Sequence, residues 1–112
     1  MDVEVQELNG TAVAKPSDDL DLLGYQELER HVDSILHNGQ NRIVLDLSAV
    51  TYVNSVSLNT LIGLREKVRK AGGQFALACV RSGARMALEA GGAMSALAVH
   101  DSVEEAAATM GS

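Results

Sequence analysis

Few residues in this chain are of types that do chemistry. They are a handful of serines, the histidines His31, His37 and His100, the aspartates Asp18, Asp19 and Asp21, and the single Cys79. A nucleophilic serine needs a histidine to take its proton, and none stands at a spacing that pairs it with one. The three histidines are scattered, and no second His, Cys or carboxylate stands at ligand spacing from them, so no metal is expected. One cysteine closes no internal disulfide and makes no zinc site alone. Cys79 lies in an apolar run and reads as a buried structural thiol. The Asp18–Asp19–Asp21 cluster could suit magnesium, but a solvated loop capping the next helix is the simpler reading. No G-x-G-x-x-G, P-loop lysine motif or G-x-S-x-G elbow is present. The chain therefore reads as a non-enzyme without a cofactor.

The polar group that stands out is Asn54-Ser55-Val56-Ser57, set between apolar runs in LDLSAVTYVNSVSLNTLIGL, residues 45–64. Asn is among the best helix N-caps, because its side-chain oxygen accepts from a free backbone N–H. With Asn54 as cap, Ser55, Val56 and Ser57 open a helix through Lys70. Leu58, Leu61, Ile62, Leu64 and Val68 then share one face. Ser57 falls inside that buried sector, and Ser55 lies near its boundary. Val56 points outward, heading a stripe with Asn59, Thr60, Gly63 and Lys67. The stripe is small and uncharged until Lys67, so another backbone could approach it closely. It is expected to be a partner surface.

These residues need a scaffold. Val3–Leu8 and Thr11–Ala14 flank Asn9-Gly10, a strong hairpin signal, and Pro16 stops the second strand or places it at an edge. Asp21 is positioned to cap a helix over residues 23–38, with Leu28, Val32, Ile35 and Leu36 at helical spacing. Residues 42–47 and 75–80 read as buried strands and residues 82–90 as a helix ended by Gly91-Gly92. Residues 97–100 read as a short strand, followed by a last helix capped by Asp101 or Ser102 and running through Met110. Strands and helices alternate after the hairpin. That order predicts an α/β domain with a mostly parallel mixed sheet and helices packed on it, filling 1–112 as one domain.

Composition narrows the partners. The chain has 112 residues, 46% of them hydrophobic but only 3% aromatic, and a net charge of −6. Phosphate-backbone binding relies on Lys and Arg and single-strand binding on aromatic platforms, so a nucleic-acid partner is disfavoured. Met1 is followed by Asp2 and Glu4 rather than a secretory leader, and no apolar run approaches the roughly 20 residues of a membrane span. A soluble protein of the reducing cytoplasm, with no direct membrane insertion, is expected.

The order of elements and three segments, RIVLDLSAVTYVNSVSLNTLIGLREKVRKAGG, LACVRSGARMALEAGG and HDSVEEAA, resemble the STAS domain family. This is the family of bacterial anti-sigma factor antagonists, found also in stressosome proteins, sulfate transporters and a lipid-transport system. Its signature is a strand ending D-L-S, then V-x-x-[IV]-D-S-[ST]-G-L. Asp46-Leu47-Ser48, Val50, Val53, Ser55 and Leu58 match it, and Asp19-Leu20-Asp21 resembles the family's E-L-D loop. The resemblance implies the STAS fold and a regulatory module that docks on an anti-sigma factor, often a serine kinase of the ATP-binding type. Phosphorylation of the Ser or Thr before the motif Gly ends that docking, because phosphate brings about −1.5 to −2 charges. Here Asn54 replaces the Asp, Val56 the acceptor and Ser57 the Gly. Val56 carries no hydroxyl, so Ser55 ranks first and Ser57 second as phosphorylation sites, and loss of the switch is a third outcome. Together the outward stripe and the resemblance lead to an expected docking surface of Asp21, Asn54, Ser55, Val56, Asn59, Thr60, Gly63 and Lys67. The alternative it allows is a non-signalling subunit of a lipid-transport complex, bound to a transporter ATPase.

Overall fold

In the computed structural model, which describes residues 3–110, Asn9 and Gly10 both take positive φ, 53° and 81°. Those angles suit a two-residue hairpin turn, and it folds β1 (Val3–Leu8) back on β2 (Thr11–Pro16). After the hairpin come α1 (Leu22–His37), β3 (Arg42–Asp46), α2 (Ser55–Lys70), β4 (Gln74–Ala78), α3 (Ser82–Ala90), a 3₁₀ turn at Ala93–Ser95, β5 (Ala98–His100) and α4 (Val103–Met110). The strands form one sheet in the order β1-β2-β3-β4-β5. Only the hairpin pair is antiparallel. The expected mixed α/β architecture is therefore the one observed.

Side-chain alternation along the strands sorts the helices into two layers. Ile43 and Leu45 of β3 and Phe75 and Leu77 of β4 join Leu28 and Val32 of α1, Leu61, Leu64 and Val68 of α2, and Ala84 and Leu88 of α3 in the larger core. Val13, Val44, Ala76 and Ala78 face the other way, onto Ala106 and Met110 of α4. Three helices thus cover one face and α4 the other. Burial on both sides explains why β3 and β4 read as continuous apolar runs rather than alternating ones. Each fully buried Leu of this core contributes about 1.5–3 kcal/mol.

The strand ends differ from expectation in instructive ways. β3 stops at Asp46 because the Asp46 carboxylate turns back to accept the Ser48 N–H, 2.9 Å away. β4 stops at Ala78 because Cys79 enters the left-handed region, φ 59°. Cys79 is accordingly half-buried beyond the strand, not a core thiol within it. Partial burial, with Asp46 nearby, raises its pKa. Pro16 does end β2, but β2 is an inner strand. The residue is tolerated there because the β2–β3 ladder extends only to Ala14↔Leu45. Between α2 and β4, Gly73 passes so close to Asn41 that a Cβ would stand 2.0 Å from the Asn41 carbonyl oxygen. That contact lets Gln74 donate to the same oxygen at 2.9 Å and start β4 in register.

Candidate partner-docking site

The β3–α2 loop is anchored by Leu47, Val50 and Val53, all buried, which leaves Thr51 and Tyr52 outside. It delivers Asn54 in extended geometry, φ −100° and ψ −179°. The Asn54 Oδ1 accepts from both the Ser57 backbone N–H and the Ser57 hydroxyl, each at 2.8 Å. The Asn54 carbonyl accepts from Leu58 N–H at 2.9 Å. One residue therefore fixes the start of α2 and the rotamer of Ser57. Ser57 is only 3% exposed, as its wheel position predicts. Beside it lies the buried Tyr25 phenol, whose pKa burial pushes up, partly offset by the Ser57 hydroxyl. Among the described residues, no well-aligned hydrogen bond satisfies that phenol oxygen.

The start of α1 is set the same way and tied to the same loop. Asp21 caps α1, accepting from Gly24 N–H at 2.7 Å. Asp19 reaches across to Thr51, accepting from its backbone N–H and, at 2.7 Å, from its hydroxyl. The acidic loop is thus a tether as well as a cap, and not simply solvated. The Thr51 hydroxyl, then the Thr51 backbone N–H, hold the Asp19 carboxyl below its ordinary value of 3.8. A depressed folded-state pKa contributes stability above the ordinary carboxylate range, and that contribution is lost as pH falls through the depressed value. An NMR pH titration is expected to find the Asp19 midpoint below 3.8. Thr51→Val should raise that midpoint toward the ordinary value. An unchanged midpoint in Thr51→Val would mean that the tether does not form in solution.

The tether sets the beginnings of α1 and α2 beside one loop, and these segments carry most of the large exposed apolar side chains. Leu22 is 65% exposed, Leu23 73%, Tyr52 61% and Val56 61%. Ser55, the first residue of α2, is exposed among them. Sequence reasoning found Val56 and missed Leu22, Leu23 and Tyr52. Leu22 and Leu23 were visible as an apolar pair preceding the Leu28–Val32–Ile35 stripe, and Tyr52 as one of two tyrosines in an aromatic-poor chain.

The predicted stripe is only partly open. Val56, Asn59 and Gly63 are exposed, whereas Thr60 and Lys67 are half-buried. The Thr60 hydroxyl donates to the Val56 carbonyl at 3.1 Å. Lys67 bridges to α1, 2.9 Å from Asp33 and 3.3 Å from Glu29, and these carboxylates raise its pKa. It is committed to holding α2 against α1. Among the described residues, no group of three or more His, Cys, Asp or Glu is placed to hold a metal, and no helix is long and apolar enough to cross a membrane.

Residues 2–106 match the model of the STAS domain. The chain belongs to the STAS domain family. BtrV of Bordetella bronchiseptica, named as a candidate anti-sigma factor antagonist, is 25% identical over 96% of this chain and 93% of its own. The anti-sigma-F factor antagonist RsfB of Mycobacterium tuberculosis is 33% identical over 59% of this chain, a match that spans about half of RsfB, 54%. In structure, this STAS domain superposes on an anti-sigma factor antagonist from Mycobacterium paratuberculosis with a TM-score of 0.84. That match covers 97% of this chain and 92% of the other at 23% identity.

Proposed function

We propose that this STAS domain is an anti-sigma factor antagonist: a single-domain binding protein of the cytoplasm, not an enzyme. It docks on an ATP-binding anti-sigma factor of the serine-kinase type. The observation that carries this reading is the set of exposed apolar side chains Leu22, Leu23, Tyr52 and Val56, at the start of α1, in the β3–α2 loop and at the start of α2, segments that the Asp19–Thr51 tether joins. Exposed apolar side chains gathered on neighbouring segments of a small domain mark an interaction site, and Tyr52 is of a residue type enriched among those that dominate binding energy. The names of BtrV and RsfB support the choice of an anti-sigma factor as partner.

Ser55 is the residue at which phosphorylation ends docking. A phosphate there sits at the N-terminus of α2, where free backbone N–H groups and the helix dipole favour an anion. The fold tolerates it while the apolar surface around it acquires charge. Capture from the native cell is expected to recover an ATP-binding anti-sigma factor. Incubation of that complex with ATP should place phosphate on Ser55 and release the domain. Absence of such a partner from the captured proteins would overturn the docking assignment. A stable complex with no phosphate at Ser55 would leave docking standing and remove the switch.

A further inference from the structure

A second site stands apart from the docking surface, at the far edge of the sheet. β5 is only three residues long and pairs with Ala76–Ala78 of β4. Among the described residues, Gln74 and Phe75, the first two residues of β4, therefore have no strand beside them on that edge. The gap is a cavity of 540 Å³, bounded by α2 on one side of the sheet and by the end of α4 on the other. That size lies within the range of small-molecule sites, about 300–1,000 Å³. Arg65, Arg69, Gln74, Phe75, His100 and Met110 line it, and among the described residues no carboxylate does. In a chain of net charge −6, two arginines on one wall of the cavity stand out. Arg69 is fourteen residues beyond Ser55 on α2, about 20 Å along the helix axis.

Arg65 and Arg69 are one helical turn apart and are held by a single acid. Glu66 Oε1 lies 2.8 Å from Arg65 and 3.5 Å from Arg69. Two guanidinium groups share one carboxylate, so one positive charge there is unbalanced. The His100 Nδ1 faces Glu105 at 3.5 Å, which turns the other edge of its ring away from that acid. Guanidinium forks bind phosphate in bidentate fashion, and a dianion would balance both arginines. Phe75 and Met110, one from each face of the sheet, are largely buried but reach the cavity and give it a small apolar part. We propose that this edge cavity binds a phosphomonoester, with Arg65 and Arg69 on the phosphate and Phe75 and Met110 against its organic group. Glu66 holds the two arginines when the site is empty and competes with the ligand for them.

Phenyl phosphate is the probe, titrated into the full chain and followed by amide NMR. Saturating shifts are expected at Gln74–Ala76 and Ser95–His100, with little change at Asn54–Ser57. Arg69→Gln should weaken binding at least tenfold. Glu66→Gln should tighten it at least threefold, an effect opposite in sign to any loss of fold. Benzoate and inorganic phosphate should each bind at least fivefold more weakly than phenyl phosphate. The proposal is overturned by any of three results: no saturable shifts at those amides, unchanged affinity in Glu66→Gln, or benzoate binding as tightly as phenyl phosphate.

Discussion

Ser57→Asp is expected to cost about 3–5 kcal/mol of folding stability, the range for an unpaired charge in a buried position, whereas Ser55→Asp should change it by less than about 1 kcal/mol. The two serines are two residues apart, and the difference comes from where α2 points them. Ser57 is 3% exposed and donates its hydroxyl proton to Asn54 Oδ1. A carboxylate at that position has no proton to give and would face the Asn54 oxygen as a second acceptor. Its position in the first helical turn offsets only about 0.3–1 kcal/mol of this, so burial wins. Ser55 is exposed at the same helix terminus, where an anion gains the dipole term without the burial cost. Urea unfolding of the two variants measures the contrast directly. A domain stable by about 5–15 kcal/mol would lose a large part of that in Ser57→Asp. A phosphate is larger and more charged than Asp, so a kinase acting on Ser57 would have to act on a locally unfolded chain. If Ser57→Asp unfolds at the same urea concentration as the unmodified protein, the ranking of Ser55 over Ser57 fails.

The parts of the site legible in the sequence are those decided within one helix. Asn54 as cap, Ser57 turned inward and Val56 turned outward follow from helical periodicity and cap chemistry alone, and each is found in the structure. Features decided between elements were not legible. Lys67 reads as the free charge of a surface stripe because its partners, Glu29 and Asp33, lie on α1, more than thirty residues earlier. The exposed apolar side chains likewise sit on separate elements, Leu22 and Leu23 at the start of α1, Tyr52 and Val56 around the start of α2. The Asp19–Thr51 tether joins those segments, and neither residue type announces a long-range partner. The same limit applies to the strands. Parallel pairing with both faces covered was readable from the apolar runs of β3 and β4. The early ends of those strands depend on an Asp46 turn and on positive φ at Cys79, which a non-glycine residue rarely adopts. The edge cavity exists because β5 is short, and no motif around Arg65 and Arg69 in the sequence singles them out.

Val56→Glu separates docking from folding. Val56 is 61% exposed, so removing its side chain exposes no core, and surface substitutions of this kind usually stay within about 0.5 kcal/mol. An acidic residue in the first turn of α2 is, if anything, favoured by the helix dipole. Against a partner the same change acts twice. It removes the apolar contact of a buried Val, about 1.5–3 kcal/mol, and it places an unpaired carboxylate in the interface, where desolvation adds to the loss. Together these weaken docking by about a hundredfold or more, since each 1.4 kcal/mol is a factor of about ten. Asn59→Ala, on the neighbouring exposed turn, removes a rim contact and should weaken docking far less, because rim residues contribute little. Tyr52→Ala should fall between them or match Val56→Glu, according to how deeply the ring inserts. The measurement is titration of each variant against the anti-sigma factor recovered by capture, with the unfolding midpoint recorded in parallel. Val56→Glu that unfolds normally and still binds within threefold of the unmodified domain would place the docking surface elsewhere. Loss of binding with an unchanged midpoint would show that Val56 lies in the interface itself, so that a charge introduced one residue away, at the exposed Ser55, would fall within the docked surface.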